Sequence, residues 1–498
     1  MYLDEFFLCK TPSYSYARVP QRYVFAILGF SCMVAAFAMR SCFNIAIVQM
    51  VHPVLQKTAQ NTTKIDMTCP VPDQGNRTFA PTAKFFQEYF YWNERTQGII
   101  LSSFYPGYIL TQLPGSILAQ RFGGKHTLGI GLLVTSVLTL AIPWAAKQGP
   151  NYLIAVRFIQ GVGEGAKFPS ICQLLAQWAP PLERSKMTTF VFSGCLIGLL
   201  TGTALGGIII DASGHWQNVF FIFGILGIGW YILWAFFAYE NPSSHPFISD
   251  EEKQYLLDTI GQLERKKTLG PIPWREMMKS KPLWSLIIAE FGHSWAVFVI
   301  LSDLPKYMND VIHFTIAENG LLSALPNLTA WAVSIISSYL ADWILGQKYM
   351  SMNTQRKVFA SIGSWGPAVG LMVVSYAGCD KYLVIAMMTV GLGLMGFVFP
   401  SLKTNTIDLS PNYTATIMAL ANGIGCFAGV FAPYTIGVLT PDRTIDEWRV
   451  AFWIMAGIMI STNCAFLLYG SAEVQYWNDM DEHNTKRRNE EIRTESGS

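Results

Sequence analysis

The sequence predicts an all-α membrane protein with twelve transmembrane helices arranged in two six-helix halves. Three observations carry this. Of 498 residues, 51% are hydrophobic and only 14% are charged, against about 25% charged in ordinary soluble domains. Twelve apolar runs recur along the chain, each near the ~20 residues a helix needs to cross a ~30 Å hydrocarbon layer. One long polar gap, between the sixth and seventh runs, divides them evenly.

The spans of the first half are predicted at 23–51, 97–120, 126–146, 152–178, 187–210 and 219–239. Those of the second half are predicted at 283–304, 321–345, 358–377, 382–402, 414–439 and 450–469. The first run follows a polar segment with Lys10, Arg18 and Arg22 and begins too late for a cleavable signal peptide, so it is read as a retained span. The chain accordingly divides into an N-terminus (1–22), a first half (23–240) with a long loop at 52–96, a linker (241–282), a second half (283–472) and a polar tail (473–498) that reads as disordered at its end. Within the linker, FISDEEKQYLLDTIGQLERKK starts with a serine cap and acidic residues and ends in bases, which is helix start and stop chemistry. Leu118-Ala119 followed by Gly124 recurs as Leu340-Ala341 followed by Gly346, at the same place in each half, as two parallel repeats would have it.

Lysine and arginine collect in the connections after even-numbered spans: Arg121 and Lys125; Arg184 and Lys186; Arg265, Lys266 and Lys267; Lys348, Arg356 and Lys357. Positive short loops stay cytoplasmic, so both termini are expected there, in the plasma membrane or a lysosomal or vesicular one. The loop at 52–96 then lies outside or in the lumen, where Asn61-Thr-Thr and Asn76-Arg-Thr read as glycosylation sites. The sequons at Asn327 and Asn412 fall in a span and on the cytoplasmic side and read as chance matches. The nine cysteines show no metal-ligand spacing; Cys69 and Cys379 fall in loops on one side, where a disulfide is conceivable. A net charge of +2 says nothing of nucleic acid, and no nucleic-acid partner is expected. No GK[ST] phosphate loop, catalytic Ser/His/Asp set or metal motif stands out, so neither an enzyme nor a cofactor is expected.

Ionisable residues inside spans cost roughly 2.5–3.5 kcal/mol each and mark a water-filled path or a partner. Arg40, in AFAMRSCFNIAIV, suits an anion, since guanidinium stays charged and presents a planar fork to carboxylate or phosphate; a helix-packing ion pair is the bland alternative. In RFIQGVGEGAKFP, Arg157 and Glu164 are seven residues apart, on one helix face and about 10 Å apart along the axis. They could line one path at two depths, with Glu164 binding and releasing a proton, or form ion pairs to neighbouring helices. Lys167 lies three residues beyond Glu164, either pairing with it or snorkelling to the interface. The glycines at 161, 163 and 165 allow a close helix neighbour. His293, in AEFGHSWAVF, could titrate, bind anion or simply pack. Lys403, in PSLKTNTIDL, reads as an interfacial residue. Phe104, Tyr105 and Tyr108 cluster beside Pro106 and Gly107, as packing or as a substrate wall.

With these residues in hand, the chain resembles the anion:cation symporters of the major facilitator superfamily, the group that includes sialin, the vesicular glutamate transporters and the type I sodium/phosphate cotransporters. The resemblance rests on QGIILSSFYPGYILTQLPGSILAQRFGGK, RFIQGVGEG, QWAPPLERSKM, ENGLLSALPNL, DLSPNY, LANGIG and EVQYWN, and runs from Tyr23 to Asn478. EVQYWN and GCDKYL look most like sialin. The resemblance implies a rocker-switch fold and cation-driven anion transport, with Arg40 as the substrate-anion arginine and Arg157 with Glu164 as the pair for substrate handling and coupling; Tyr108 and His293 are candidate substrate contacts. This chain departs from the group at Leu101, where the glutamate transporters have histidine, and at His293, where they have arginine. It departs again at Gln160, where sialin has glutamate, and at Lys167 and Lys403, which could modulate charge for a different anion. The expected function is symport of a small carboxylate or phosphate anion with a proton or sodium. Sodium-dependent phosphate cotransport is the near alternative, and an anion channel the alternative of another class.

Overall fold

Helices account for nearly every regular element of the computed structural model, which describes residues 19–51, 90–92, 94–260, 272–302, 307, 316–378, 380–440 and 444–479. Asn61, Asn76, Cys69, Cys379 and the tail beyond residue 479 lie outside the described residues. The first half comprises α1 (Gln21–Met50), α2 (Glu94–Ser102), α3 (Phe104–Phe122), α4 (Gly124–Gln148), α5 (Pro150–Gly165), α6 (Lys167–Trp178), α7 (Arg184–Ser213) and α8 (Gln217–Phe237). The linker holds α9 (Asp250–Ile260) and α10 (Trp274–Lys279). The second half holds α11 (Lys281–Ser302), α12 (Ile316–Gly346), α13 (Met352–Tyr376), α14 (Lys381–Leu394), α15 (Thr404–Leu409), α16 (Thr414–Leu439) and α17 (Ile445–Tyr469).

Among the described residues, ten helices are long and apolar enough to cross a membrane, and the chain is a multi-pass membrane protein. The other two predicted spans are each interrupted once, at Ser103 between α2 and α3 and at Ala166 between α5 and α6. The cause is proline. Pro106 and Pro169 carry no N–H for the carbonyls of Ser102 and Gly165, four residues back, so one rung of the ladder is missing while Ser103 and Ala166 keep right-handed helical backbone.

The apolar core follows the two halves. One cluster runs from Phe25 to Leu256 with a few residues of the second half, and two others are built from residues beyond Met277. In the first half α1 packs along α7 and α8, and α5 lies between α3 and α4; in the second, α11 packs on α16 and α17. The halves meet where α16 lies against α3 and α6, and where α12 lies against α7.

Charge chemistry fixes the ends. Gly123, at φ +92°, turns the chain between α3 and α4, and Glu240 accepts from the Gly124 and Lys125 amides at 2.9 Å each. The linker does the same for α1: Glu252 of α9 accepts from the Gln21 amide at 2.8 Å and from the Arg22 guanidinium at 3.2 Å, while Arg22 also donates to Glu183 at 3.0 Å. A carboxylate at a helix N-terminus satisfies orphan amides and complements the helix dipole. The predicted serine cap of the linker helix is present, Ser249 accepting from the Glu252 amide at 3.2 Å.

At the linker end of the bundle the two halves are tied by ions. Asp408 of α15 accepts from Arg184 of α7 and from Arg356 of α13, both at 2.9 Å, and Arg356 also donates to Ser185 at 2.9 Å and to the Pro400 carbonyl at 2.6 Å. The motifs DLSPNY and EVQYWN meet nearby: Asn478 accepts from Ser410 at 2.6 Å, and the Asn412 side-chain amide donates to the Asn478 carbonyl at 2.9 Å.

Candidate functional site

The two proline breaks position the charges. Glu164 sits in the last turn of α5 and Lys167 opens α6, and the Lys167 Nζ donates to Glu164 Oε2 at 2.8 Å with both side chains buried. Of the two readings of Lys167, the local pair is the one seen; the ammonium does not reach the interface. The glycines let the surrounding backbones close in. A Cβ on Gly161 would meet the Phe104 carbonyl oxygen, and one on Gly107 the carbonyl oxygen of Phe158, so α3 and α5 touch through glycine on both sides.

Arg157 is 3% exposed and has no carboxylate partner among the described residues. Its Nη1 donates to Gln160 Oε1 at 3.2 Å, Gln160 donates in turn to Thr139 at 2.9 Å, and the Arg157 Nε has no hydrogen-bond partner. The glutamine therefore orients the guanidinium and leaves its charge uncancelled. Arg40 also lacks an ion pair among the described residues; its Cζ lies over aromatic rings, 4.8 Å from the centre of Phe104 and 4.7 Å from that of Tyr105.

These contacts join into a chain of cations separated by rings. Arg157 stands 4.2 Å from the Phe43 centre and 5.4 Å from Phe104; Arg40 shares Phe104 and lies 5.8 Å from Phe37. Lys167 shares Phe37 at 4.4 Å and lies 5.6 Å from Phe168, and Lys403, from the other half, lies 5.9 Å from the same ring. Each desolvated cation–ring contact is worth roughly 0.5–2 kcal/mol, too little to replace the hydration of a buried charge. The rings space the cations without neutralising them.

Lys403 is the main correction to the sequence reading. It is buried, not interfacial, and donates to Glu290 Oε2 of α11 at 2.7 Å. After α14 the chain tightens to a 3-10 turn at Met395–Val398 and widens to a π turn at Phe399–Lys403. Pro400 offers no N–H there, and the π turn's extra residue rotates the following side chains by about 100°, so a lysine expected to face the membrane edge turns inward. Glu290 was missed altogether. It is 1% exposed, its Oε1 has no partner, and the signal that found Glu164, a carboxylate well inside an apolar run, applies to it equally.

His293 lies one turn further along α11 and is half-buried, with no partner for its Nδ1. Tyr108 is buried, stacks on Phe104 with centroids 5.7 Å apart and accepts a hydrogen bond across the interface from Asn422 of α16 at 2.8 Å. Tyr105 reaches across in the same way to Phe298, 5.8 Å between centroids. Tyr108, Arg40, Arg157, Glu164 and Lys167 thus come together with Lys403 and Glu290 between the halves. Arg40, Arg157, Lys167 and Lys403 are four cations against the two carboxylates Glu164 and Glu290. Two positive charges are left over, which can attract and hold an anion.

Comparison with known proteins agrees with this architecture. The family model described as Major Facilitator Superfamily matches residues 73–433. Sialin of Homo sapiens is 37% identical, covering 93% of this chain and 92% of its own length. A Drosophila melanogaster protein named "Putative inorganic phosphate cotransporter" is 36% identical over 93% of this chain and 88% of its own. Vesicular glutamate transporter 1 of Bos taurus is 32% identical over 93% and 79%. Among solved structures, the proton:xylose symporter XylE aligns with a TM-score of 0.66 at 13% identity, covering 91% of this chain and 97% of that one, a likeness of fold.

Proposed function

The chain belongs to the major facilitator superfamily, and from that premise we propose that it is a secondary active transporter, carrying a small carboxylate or phosphate anion in symport with a cation by alternating access. The observation that carries this is the pair of arginines, Arg40 and Arg157, held inside the bundle with no carboxylate on either among the described residues. A charge of this kind is expensive inside a bilayer unless a ligand or water shares it. Two of the relatives' names, which carry glutamate and inorganic phosphate, support an anion as that ligand.

In this reading Arg40 and Arg157 take the anion, and Tyr108 and His293 complete its surroundings from the two halves. Glu164, released from Lys167 when it takes up a proton, is the coupling carboxylate, and Lys167 and Lys403 set the local charge. Both termini face the cytoplasm, and the protein resides in the plasma membrane or in a lysosomal or vesicular membrane. The ion cluster at the linker end supports alternating access over a fixed pore, because it has to open once per cycle for the site to face the cytoplasm.

The test is uptake into proteoliposomes of labelled phosphate, glutamate and sialic acid under separately imposed proton and sodium gradients. Saturable accumulation of one of them is expected; a current linear in voltage that never saturates would indicate a channel. Sodium-driven phosphate uptake at fixed pH is the second reading, and the Drosophila relative's name supports its phosphate. Glu164→Gln is expected to leave exchange of anion for anion while weakening proton-driven net uptake, with about one proton fewer moved per anion. Net uptake that follows the pH gradient unchanged removes Glu164 from the coupling role.

A further inference from the structure

Lys403 and Glu290 form a buried ion pair in which the symport reading gives Glu290 no role. The pair joins the π turn to α11 at 2.7 Å, inside the second half. It repeats the Glu164–Lys167 arrangement of the first half, and the two ammonium groups lie within 6 Å of the centre of one ring, Phe168. Glu290 is as buried as Glu164, at 1% exposed, and its Oε1 has no hydrogen-bond partner among the described residues. A buried carboxylate oxygen left unpaired is costly, and it leaves a place where a proton can sit.

We infer that Lys403 is the anion contact of the second half and that Glu290 is its proton-dependent stand-in, so that anion binding at Lys403 is accompanied by uptake of one proton on Glu290. This rests on the symport reading above. Glu290 takes a proton on Oε1 and loses its charge; the Lys403 ammonium, protonated throughout, passes from Glu290 to an anionic oxygen of the substrate. On release the proton leaves, and the pair re-forms. The net charge at the pair is the same empty and loaded, so neither state buries an unpaired charge. The arginines lack this property, because nothing on the protein replaces the anion when it goes.

The titratable groups around Glu290 are few. Lys403 comes from the π turn and His293 lies one turn along α11. Cys172 of α6 approaches from the first half and Lys167 shares the Phe168 ring with Lys403, while α16 meets α11 at Gly425 beside Glu290 and α17 at Thr462 beside Gly292, neither of them titratable.

The test uses the full-length chain, purified in detergent for anion-induced shifts in melting temperature and reconstituted for uptake and proton counting, with inorganic phosphate, glutamate and sialic acid as separate probes at pH 5.5 and 7.5. Glu290→Gln, which mimics the protonated carboxylate, is expected to raise anion affinity at pH 7.5 about tenfold and to lower the number of protons moved per anion by about one. The double variant Glu290→Leu, Lys403→Met replaces the pair with apolar side chains of similar bulk, a change that buried ion pairs often tolerate. It is expected to fold, to bind anion at least about tenfold more weakly, and to lose the same proton. A folded double variant with wild-type affinity and proton ratio makes the pair purely structural and overturns the inference while leaving the symport reading intact. If the double variant does not fold, an unchanged proton ratio in Glu290→Gln has the same consequence. A folded wild type that neither binds nor transports any of the three anions fails the symport reading itself, and the inference with it.

Discussion

Two sets of arginines lie inside this bundle, and they are neutralised in opposite ways. At the linker end, Arg184 and Arg356 share the two oxygens of Asp408, with Ser185 and the Pro400 carbonyl taking further donors. Inside the first half, Arg40 and Arg157 are surrounded by Phe43, Phe104 and Tyr105, and among the described residues the one polar acceptor of Arg157 is neutral Gln160. The first set is the chemistry of a latch: each charge has a partner on the protein, and the partnership ties one half to the other. The second set is the chemistry of a receptor, since its charge is left for something that is not protein. Burial alone does not separate structural from functional charge; the identity of the partner does.

The largest expected effect that tests this contrast is Arg40→Ala. It is expected to reduce anion uptake to background while leaving the melting temperature near or above wild type, because it deletes an unneutralised charge. Uptake with normal affinity would remove Arg40 from the site. Next comes Asp408→Asn, which removes the carboxylate that both arginines share. Breaking a buried ion pair costs about 3–5 kcal/mol, so chemical or thermal unfolding should show a large loss of stability where Arg40→Ala shows none. Equal losses in the two variants would erase the distinction between latch and receptor.

A smaller and sharper change is Gln160→Glu, which gives Arg157 a carboxylate. The variant is expected to be at least as stable as the wild type and to bind anion about tenfold more weakly, near 1.4 kcal/mol, read as a rise in the half-saturating anion concentration. Unchanged affinity would mean that the charge on Arg157 does not reach the substrate. The smallest effect concerns His245, where the linker packs on the first half against Trp178 and Tyr239. Burial, and then the nearby Lys125, hold its pKa below the ordinary 6.5. The fold thus favours neutral histidine; the stabilisation is complete above about pH 6.5 and declines as pH falls through that value. His245→Gln is expected to flatten the fall in melting temperature between pH 7 and 5 by about 1–2 °C. A slope identical to wild type would show that linker docking is indifferent to this histidine.

Much of the fold was legible. The span predicted at 414–439 coincides with α16, and the other helix starts lie within six residues of prediction, because hydrophobicity over ~20 residues is a local property. The charges of the first half were legible for the same reason: Glu164 and Lys167 are three residues apart, and helix geometry alone brings them within reach. Lys403 was misplaced and Glu290 overlooked, since their pairing joins residues 113 apart through a π turn that shows in the sequence only as Pro400.

What the sequence by itself determined, then, is the number and order of apolar segments, the proline breaks, and which charges a membrane has to tolerate. Each follows from covalent neighbours and the cost of polar groups in hydrocarbon. Only the tertiary structure decided which charge neutralises which: Asp408 answers two arginines, Glu290 answers Lys403, and Arg40 and Arg157 find rings. Electrostatic partnership depends on ångström distances and side-chain direction between distant segments, and those are fixed when the helices pack.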